Sequence, residues 1–233
     1  MKTFKIEPFV FHTFGTEGKT IILYHGWGSS TRTYIEFASD IAELGFRVIL
    51  PELPYHDSRD PLESPFRRDI TQQYFWKTIF QSIDESAKFF EALQVPLEEI
   101  ILLGSSMGGF IASGIAAKYP GVAGLISVNS SGSFLTSERI FRKNDNRPQL
   151  SEEEKRVFST YDPTHKKHNP SPVLLLHGIH DSIISIEGQQ EYDSYLKSCG
   201  AHVTFLTYEH VNHTITDTMI DDIKQWLIQN FKE

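Results

Sequence analysis

The chain has 233 residues, 39% of them hydrophobic and 22% charged, which suits a soluble globular protein with one sizeable core and excludes a largely disordered chain. Lys plus Arg number 22 against 30 for Asp plus Glu, a formal net charge of −8; this argues against a nucleic-acid partner, whose affinity comes mainly from cationic side chains displacing counterions. Cys199 is the only cysteine, which rules out an intramolecular disulfide, and no run approaches the roughly 18 apolar residues of a membrane helix, so a cytoplasmic protein without membrane contact is expected.

The first segment, TFKIEPFVFHTFG, alternates apolar and polar residues without the apolar run of a secretory signal, and is expected to add one antiparallel strand at a sheet edge. Runs dense in Val, Ile and Leu then start at Thr20 (TIILYHG), Phe46 (FRVILPELP), Glu99 (EIILLGSS), Val122 (VAGLISVNSS), Pro172 (PVLLLHG) and His202 (HVTFLTYEH). Continuous apolar strands of this kind fit a parallel sheet covered on both faces.

Segments of helical length separate them: Thr31 to Leu44, Asp69 to Leu93, Met107 to Lys118, Glu187 to Ser198 and Ile215 to Phe231. In the second, Ile79, Ile83, Ala87 and Phe90 recur at three- and four-residue steps, the stripe of a core-facing helix. The alternation predicts an α/β fold, a mostly parallel twisted sheet with helices on both faces, in a single domain over residues 1–233. Only the interval from Ser133 to Asn169 breaks the rhythm, and a small lid-like insertion over about 134–170 is expected there, with Ser151 and Glu154 as a capping box opening a short helix. The short basic stretches Arg67-Arg68 and Lys166-Lys167-His168 read first as solvated surface, with contact to a ligand as the alternative for the second.

Ligands of open α/β sheets bind outside the carboxyl ends of the strands, so strand exits are the places to look for chemistry. After EIILL comes Gly104-Ser105-Ser106-Met107-Gly108, a G-x-S-x-G pattern centred on Ser106. Glycines two residues either side permit a sharp strand-to-helix turn that lifts the central side chain, while Ser105 should point away and pack.

A serine hydroxyl needs a base, and the base needs an acid to orient it. LLLHGIHDSII presents Asp181 after its strand, with Asp57 and Asp217 as rivals; TYEHVNHTIT presents His213 just before the last helix, with His210 as rival. The order Ser106, Asp181, His213 is that of a nucleophile elbow and its partners. HGWG, residues His25 to Gly28, follows the first core strand, where the backbone N–H of Trp27 would join that of Met107 to receive a developing oxyanion. The bland readings are a structural turn serine at Ser106 and metal ligation by the His177, His180, Asp181 or Glu209, His210, His213 groups. Neither accounts for all the strand exits together, and no metal or other cofactor is expected.

HGWG, GSSMGG, HGIHDSII and the Asn212-His213 pair together resemble the α/β-hydrolases, near the compact bacterial esterases related to dienelactone hydrolases and prolyl-oligopeptidase catalytic domains. The resemblance runs from about Thr20 to the end of the chain. It implies Ser106, Asp181 and His213 as the triad and Trp27 and Met107 as oxyanion donors. Two departures stand out: dienelactone hydrolases use a cysteine nucleophile, whereas Cys199 is far from the elbow; and PELPYHDSRD replaces the D-x-x-G-H-G-x-S of many relatives, with Glu52 and Asp57 in altered places.

The expected activity is that of a carboxylesterase on small to medium acyl esters. A prolyl-oligopeptidase-like aminopeptidase or an acyl thioesterase is the alternative, and a noncatalytic small-molecule receptor ranks below both. Trp27, Phe134, Phe158 and Tyr161 are candidates for lining the substrate pocket, the last three as a lid or, equally, as packing of the insertion onto the body.

Overall fold

The computed structural model describes residues 1–167 and 171–232; His168 of the second basic stretch and the last residues of the expected insertion lie outside the described residues. Its centre is an eight-stranded sheet: β1 Lys2–Ile6, β2 Phe9–Phe14, β3 Thr20–Tyr24, β4 Arg47–Pro51, β5 Ile100–Ser105, β6 Gly124–Val128, β7 Val173–Gly178 and β8 Val203–Tyr208. The spatial order is β1-β2-β4-β3-β5-β6-β7-β8. β2 runs antiparallel to both β1 and β4, and the other pairings are parallel. The N-terminal segment thus forms a hairpin, two strands where one was expected, because Glu7-Pro8 interrupts its alternation.

The helices are α1 Ile35–Glu43, α2 Arg68–Leu93, α3 Met107–Lys118, α4 Phe134–Asn144, α5 Glu152–Tyr161, α6 Ile186–Ser198 and α7 Asp217–Phe231. The two-residue period of the strands divides their apolar side chains between two cores. Ile22, Ile49, Ile100, Leu102, Leu125 and Leu175 face α2, α3 and α6, while Ile21, Val48, Ile101, Leu103, Ile126 and Leu174 face α1 and α7. Coverage on both sides explains why these strands read as unbroken apolar runs instead of alternating ones.

The core stripe of α2 differs from the expected one. Ala87 is exposed, and the buried line runs through Ile79, Ser82, Ile83, Ser86, Phe89 and Phe90. The two serines are accommodated by returning their hydroxyls to the helix backbone, at Thr78 and Ile83 carbonyls. Gln94 ends the helix in the left-handed conformation at φ 52°, with Pro96 following.

The irregular interval folds into α4 and α5. The capping box is present, Glu154 N–H donating to Ser151 Oγ at 3.2 Å and Ser151 N–H to Glu154 Oε2 at 2.7 Å. α4 carries no such cap and was not legible in the sequence. It is held by Glu138, almost fully buried, which accepts from Trp76 Nε1 at 2.7 Å, Arg142 Nε at 2.7 Å and Arg147 Nη1 at 2.8 Å.

This packing corrects the expectation that Phe134, Phe158 and Tyr161 line a substrate pocket. Phe134 is fully buried and Phe158 nearly so. Their rings lie 5.3 and 4.8 Å from that of Trp76, and Tyr161 stacks on Phe80 at 4.2 Å while its hydroxyl donates to Asp84. α2 and α3 offer an aromatic surface of Trp76, Phe80 and Phe110, and burying rings against it outweighs leaving them free over a site.

Candidate active site

Ser106 stands between β5 and α3 at φ 54° and ψ −124°, a backbone conformation that residues with a Cβ rarely adopt. The turn is this tight because its glycines let backbones meet. A Cβ on Gly104 would lie 2.0 Å from the Gly108 carbonyl oxygen, and one on Gly108 2.0 Å from that of Tyr24. Ser105, as expected, is buried.

His213 Nε2 lies 2.8 Å from Ser106 Oγ, and its Nδ1 lies 2.7 Å from Asp181 Oδ2. The Asp181 side chain is fully shielded from solvent, and its second oxygen accepts from the N–H groups of Ile183 and Ile184, both at 2.9 Å. Burial alone would push this carboxyl up. The hydrogen bond from His213 and those two backbone donors outweigh it and hold the group below the usual carboxylate range, so it is an anion that accepts the Nδ1 proton.

The rivals are placed elsewhere. His210 is exposed with φ 58°, its ring stacked 5.6 Å from that of His180, and Asp217 opens α7 on the surface. His177 is buried and donates from Nε2 to the Ile184 carbonyl at 3.0 Å; burial keeps its pKa low. Among the described residues no group of three or more His, Cys, Asp or Glu side chains is arranged to hold a metal ion.

Two asparagines hold the loops in register, and neither role was legible in the sequence. Asn212 Oδ1 accepts from Ser182 N–H at 3.0 Å and from His213 N–H at 2.8 Å, tying the loop of Asp181 to that of His213. Asn129, at the exit of β6, accepts from Gly178 N–H at 3.0 Å and donates to the Thr214 carbonyl at 2.7 Å.

Among the described residues, neither the Trp27 N–H nor the Met107 N–H has an acceptor within the protein. The Met107 amide is the first of α3, where helix geometry leaves donors unpaired. The peptide planes beside Trp27 are held by two histidines. His25 Nδ1 donates to the Gly26 carbonyl at 2.9 Å, and Gly28 N–H donates to His56 Nε2 at 3.1 Å.

His56 can accept because its Nδ1 carries the proton, donating to the Pro54 carbonyl at 2.9 Å; burial lowers its pKa to about 4. Asp57 sits 3.3 Å from His25 Nε2 and accepts from Thr31 N–H at 3.2 Å. The altered PELPYHDSRD stretch therefore braces the HGWG turn from behind. The Trp27 ring is half-buried against Phe75 and His56, and its Nε1 donates to the Pro65 carbonyl at 3.1 Å.

A family model described as alpha/beta hydrolase fold matches residues 19–149, more than half of the chain. The chain belongs to this family. Within the α/β-hydrolases, a second model, phospholipase/carboxylesterase, matches residues 156–230. Esterase YjfP of Escherichia coli (strain K12) is 29% identical over 218 residues, 86% of this chain and 84% of the relative. The putative esterase YitV of Bacillus subtilis (strain 168) is 21% identical over 224 residues, 88% of this chain and 87% of the relative. In fold, the chain is similar to TT1662 from Thermus thermophilus, with a TM-score of 0.71 at 17% identity over 98% of this chain and 97% of that one. Cys199, exposed at the end of α6, has no place in this hydrolase site. No helix among the described residues is long and apolar enough to cross a membrane.

Proposed function

We propose that this α/β-hydrolase is a carboxylesterase that cleaves small to medium acyl esters through an acyl-enzyme on Ser106. The observation that carries the reading is the unbroken chain Ser106 Oγ, His213, Asp181, with links of 2.8 and 2.7 Å. Its matches to a phospholipase/carboxylesterase model and to a protein named as an esterase support the same class.

In this mechanism Ser106 Oγ attacks the ester carbonyl while His213 Nε2 takes its proton. Asp181 keeps the other imidazole proton on Nδ1 and stabilises the imidazolium. The oxyanion that forms points at the N–H groups of Trp27 and Met107, which are already unpaired and so need little reorganisation. Collapse breaks the bond to the alcohol oxygen, which leaves with the proton from Nε2. Water then attacks the acyl carbonyl, giving its proton to Nε2, and the second collapse releases the acid and restores the Ser106 hydroxyl.

The substrate is a small molecule, and we place the enzyme in the cytoplasm on the strength of its single cysteine. Hydrolysis of p-nitrophenyl butyrate tests the activity, and Ser106→Ala should abolish it in a folded protein. A fluorophosphonate should label Ser106 and leave Ser105 unmodified. Turnover that survives Ser106→Ala would remove this mechanism.

A further inference from the structure

Phe66 is 75% exposed, the most exposed of the large apolar side chains in the described part of the molecule, yet its ring is seated at the oxyanion loop. A Cβ on Gly28 would lie 2.4 Å from Phe66 Cζ and 2.8 Å from Cε2, so the ring occupies the space that a side chain at position 28 would fill. Its backbone is fixed as well. The preceding carbonyl, of Pro65, accepts from Trp27 Nε1 at 3.1 Å and from Thr71 Oγ1 at 2.8 Å. This is a preorganised apolar surface facing solvent at the HGWG turn that carries the Trp27 N–H, the arrangement that binds an apolar part of a ligand.

The stereochemistry of the tetrahedral intermediate says which part. Ser106 Oγ and the oxyanion take two of the four positions on carbon. The leaving oxygen must approach His213 Nε2 to be protonated, which directs the alcohol toward the exits of β7 and β8, where Ile183, 60% exposed, follows Asp181. The acyl chain is left with the opposite direction, toward the exits of β3 and β4. Phe66 lies on that side, because Gly28 follows β3 and the sheet order places β3 and β7 on opposite sides of β5.

Resting on the carboxylesterase reading, we infer that Phe66 is the wall of an acyl subsite that favours apolar acyl groups long enough to reach it, with Ile183 on the separate, alcohol side.

The test is kcat/KM for p-nitrophenyl acetate, butanoate, hexanoate and octanoate, with active sites counted by fluorophosphonate. In the wild type each added methylene that reaches Phe66 should raise kcat/KM up to about fourfold. Phe66→Ala should flatten this series, losing about tenfold on hexanoate while acetate stays within about twofold, and Phe66→Leu should restore part of the slope. Ile183→Ser should leave the acyl slope as it is and change the preference between p-nitrophenyl and ethyl butanoate. An unaltered slope in Phe66→Ala, or an equal loss on every ester including acetate, overturns the assignment. A wild type that binds fluorophosphonate but hydrolyses none of the esters overturns the carboxylesterase reading and the subsite with it.

Discussion

The Asp181 carboxylate divides its two oxygens between tasks: Oδ2 lies 2.7 Å from His213 Nδ1, while Oδ1 takes the backbone N–H groups of Ile183 and Ile184. Asp181→Asn keeps an oxygen for the two backbone donors but turns an amide N–H toward Nδ1. The imidazole must then carry its proton on Nε2, where it can no longer accept one from Ser106. The expected result is a kcat lower by about 10³- to 10⁴-fold with KM little altered. Steady-state kinetics at constant Tm checks it.

His56 is a positioning residue in the same sense. His56→Phe fills the ring's volume but leaves Gly28 N–H without its acceptor, freeing the peptide next to the Trp27 donor. A fall in kcat of about ten- to a hundredfold is expected, less than outright loss of an oxyanion donor costs. His56→Gln, whose amide oxygen can accept from Gly28, should recover most of it. Weaker binding of a trifluoromethyl ketone by His56→Phe, restored by His56→Gln, would separate loop positioning from a general loss of folding.

The same histidine makes stability depend on pH. Its folded-state pKa, about 4, lies below the ordinary 6.5 because burial disfavours the cation. The folded protein therefore holds a neutral ring that the unfolded chain protonates. The stability it contributes is complete above the unfolded value and is lost as pH falls from 6.5 toward 4. A shift of this size corresponds to roughly 3 kcal/mol. Urea unfolding of wild type and His56→Gln should diverge across that window. The depressed carboxyls of Asp181 and Asp57 act below it, since their contributions are present above the ordinary carboxylate pKa and are lost as pH falls through their lowered values.

Glu138 anchors α4. Glu138→Ala removes the shared partner of Arg142, Arg147 and Trp76 Nε1; the arginines keep Glu154 and Asp145, while the Trp76 N–H loses its acceptor. Leaving buried donors without this acceptor costs about 1–3 kcal/mol. A clear fall in Tm is expected, with the acyl-length profile unchanged because Phe66 is on a different segment.

Much of the site was legible because it is written locally. Gly104-Ser105-Ser106-Met107-Gly108 selects its second serine by register alone, and the Ser151–Glu154 capping box spans one helical turn. The supporting residues carry no such local mark. His56 reads as part of an irregular loop, and its value comes from a contact with Gly28 across 28 residues. Asn129 joins the exits of β6 and β7 to a carbonyl 85 residues away. Phe134 and Phe158 look the same in sequence whether they face a ligand or a helix; the aromatic surface on α2 and α3 turned them inward.

By itself the sequence determined the alternation of strands and helices and the glycine-flanked turn at Ser106, since each follows from side-chain periodicity or from the room glycine leaves at a turn, and it put Asp181 and His213 at later strand exits. Only the tertiary structure decided that His213 meets Ser106 while His210 stacks on His180, that His25 and His56 hold the HGWG turn, and that Phe66 stays in solvent beside it. These depend on the sheet order bringing distant loops to one edge, where directional contacts of about 3 Å distinguish residues that composition and spacing leave equivalent.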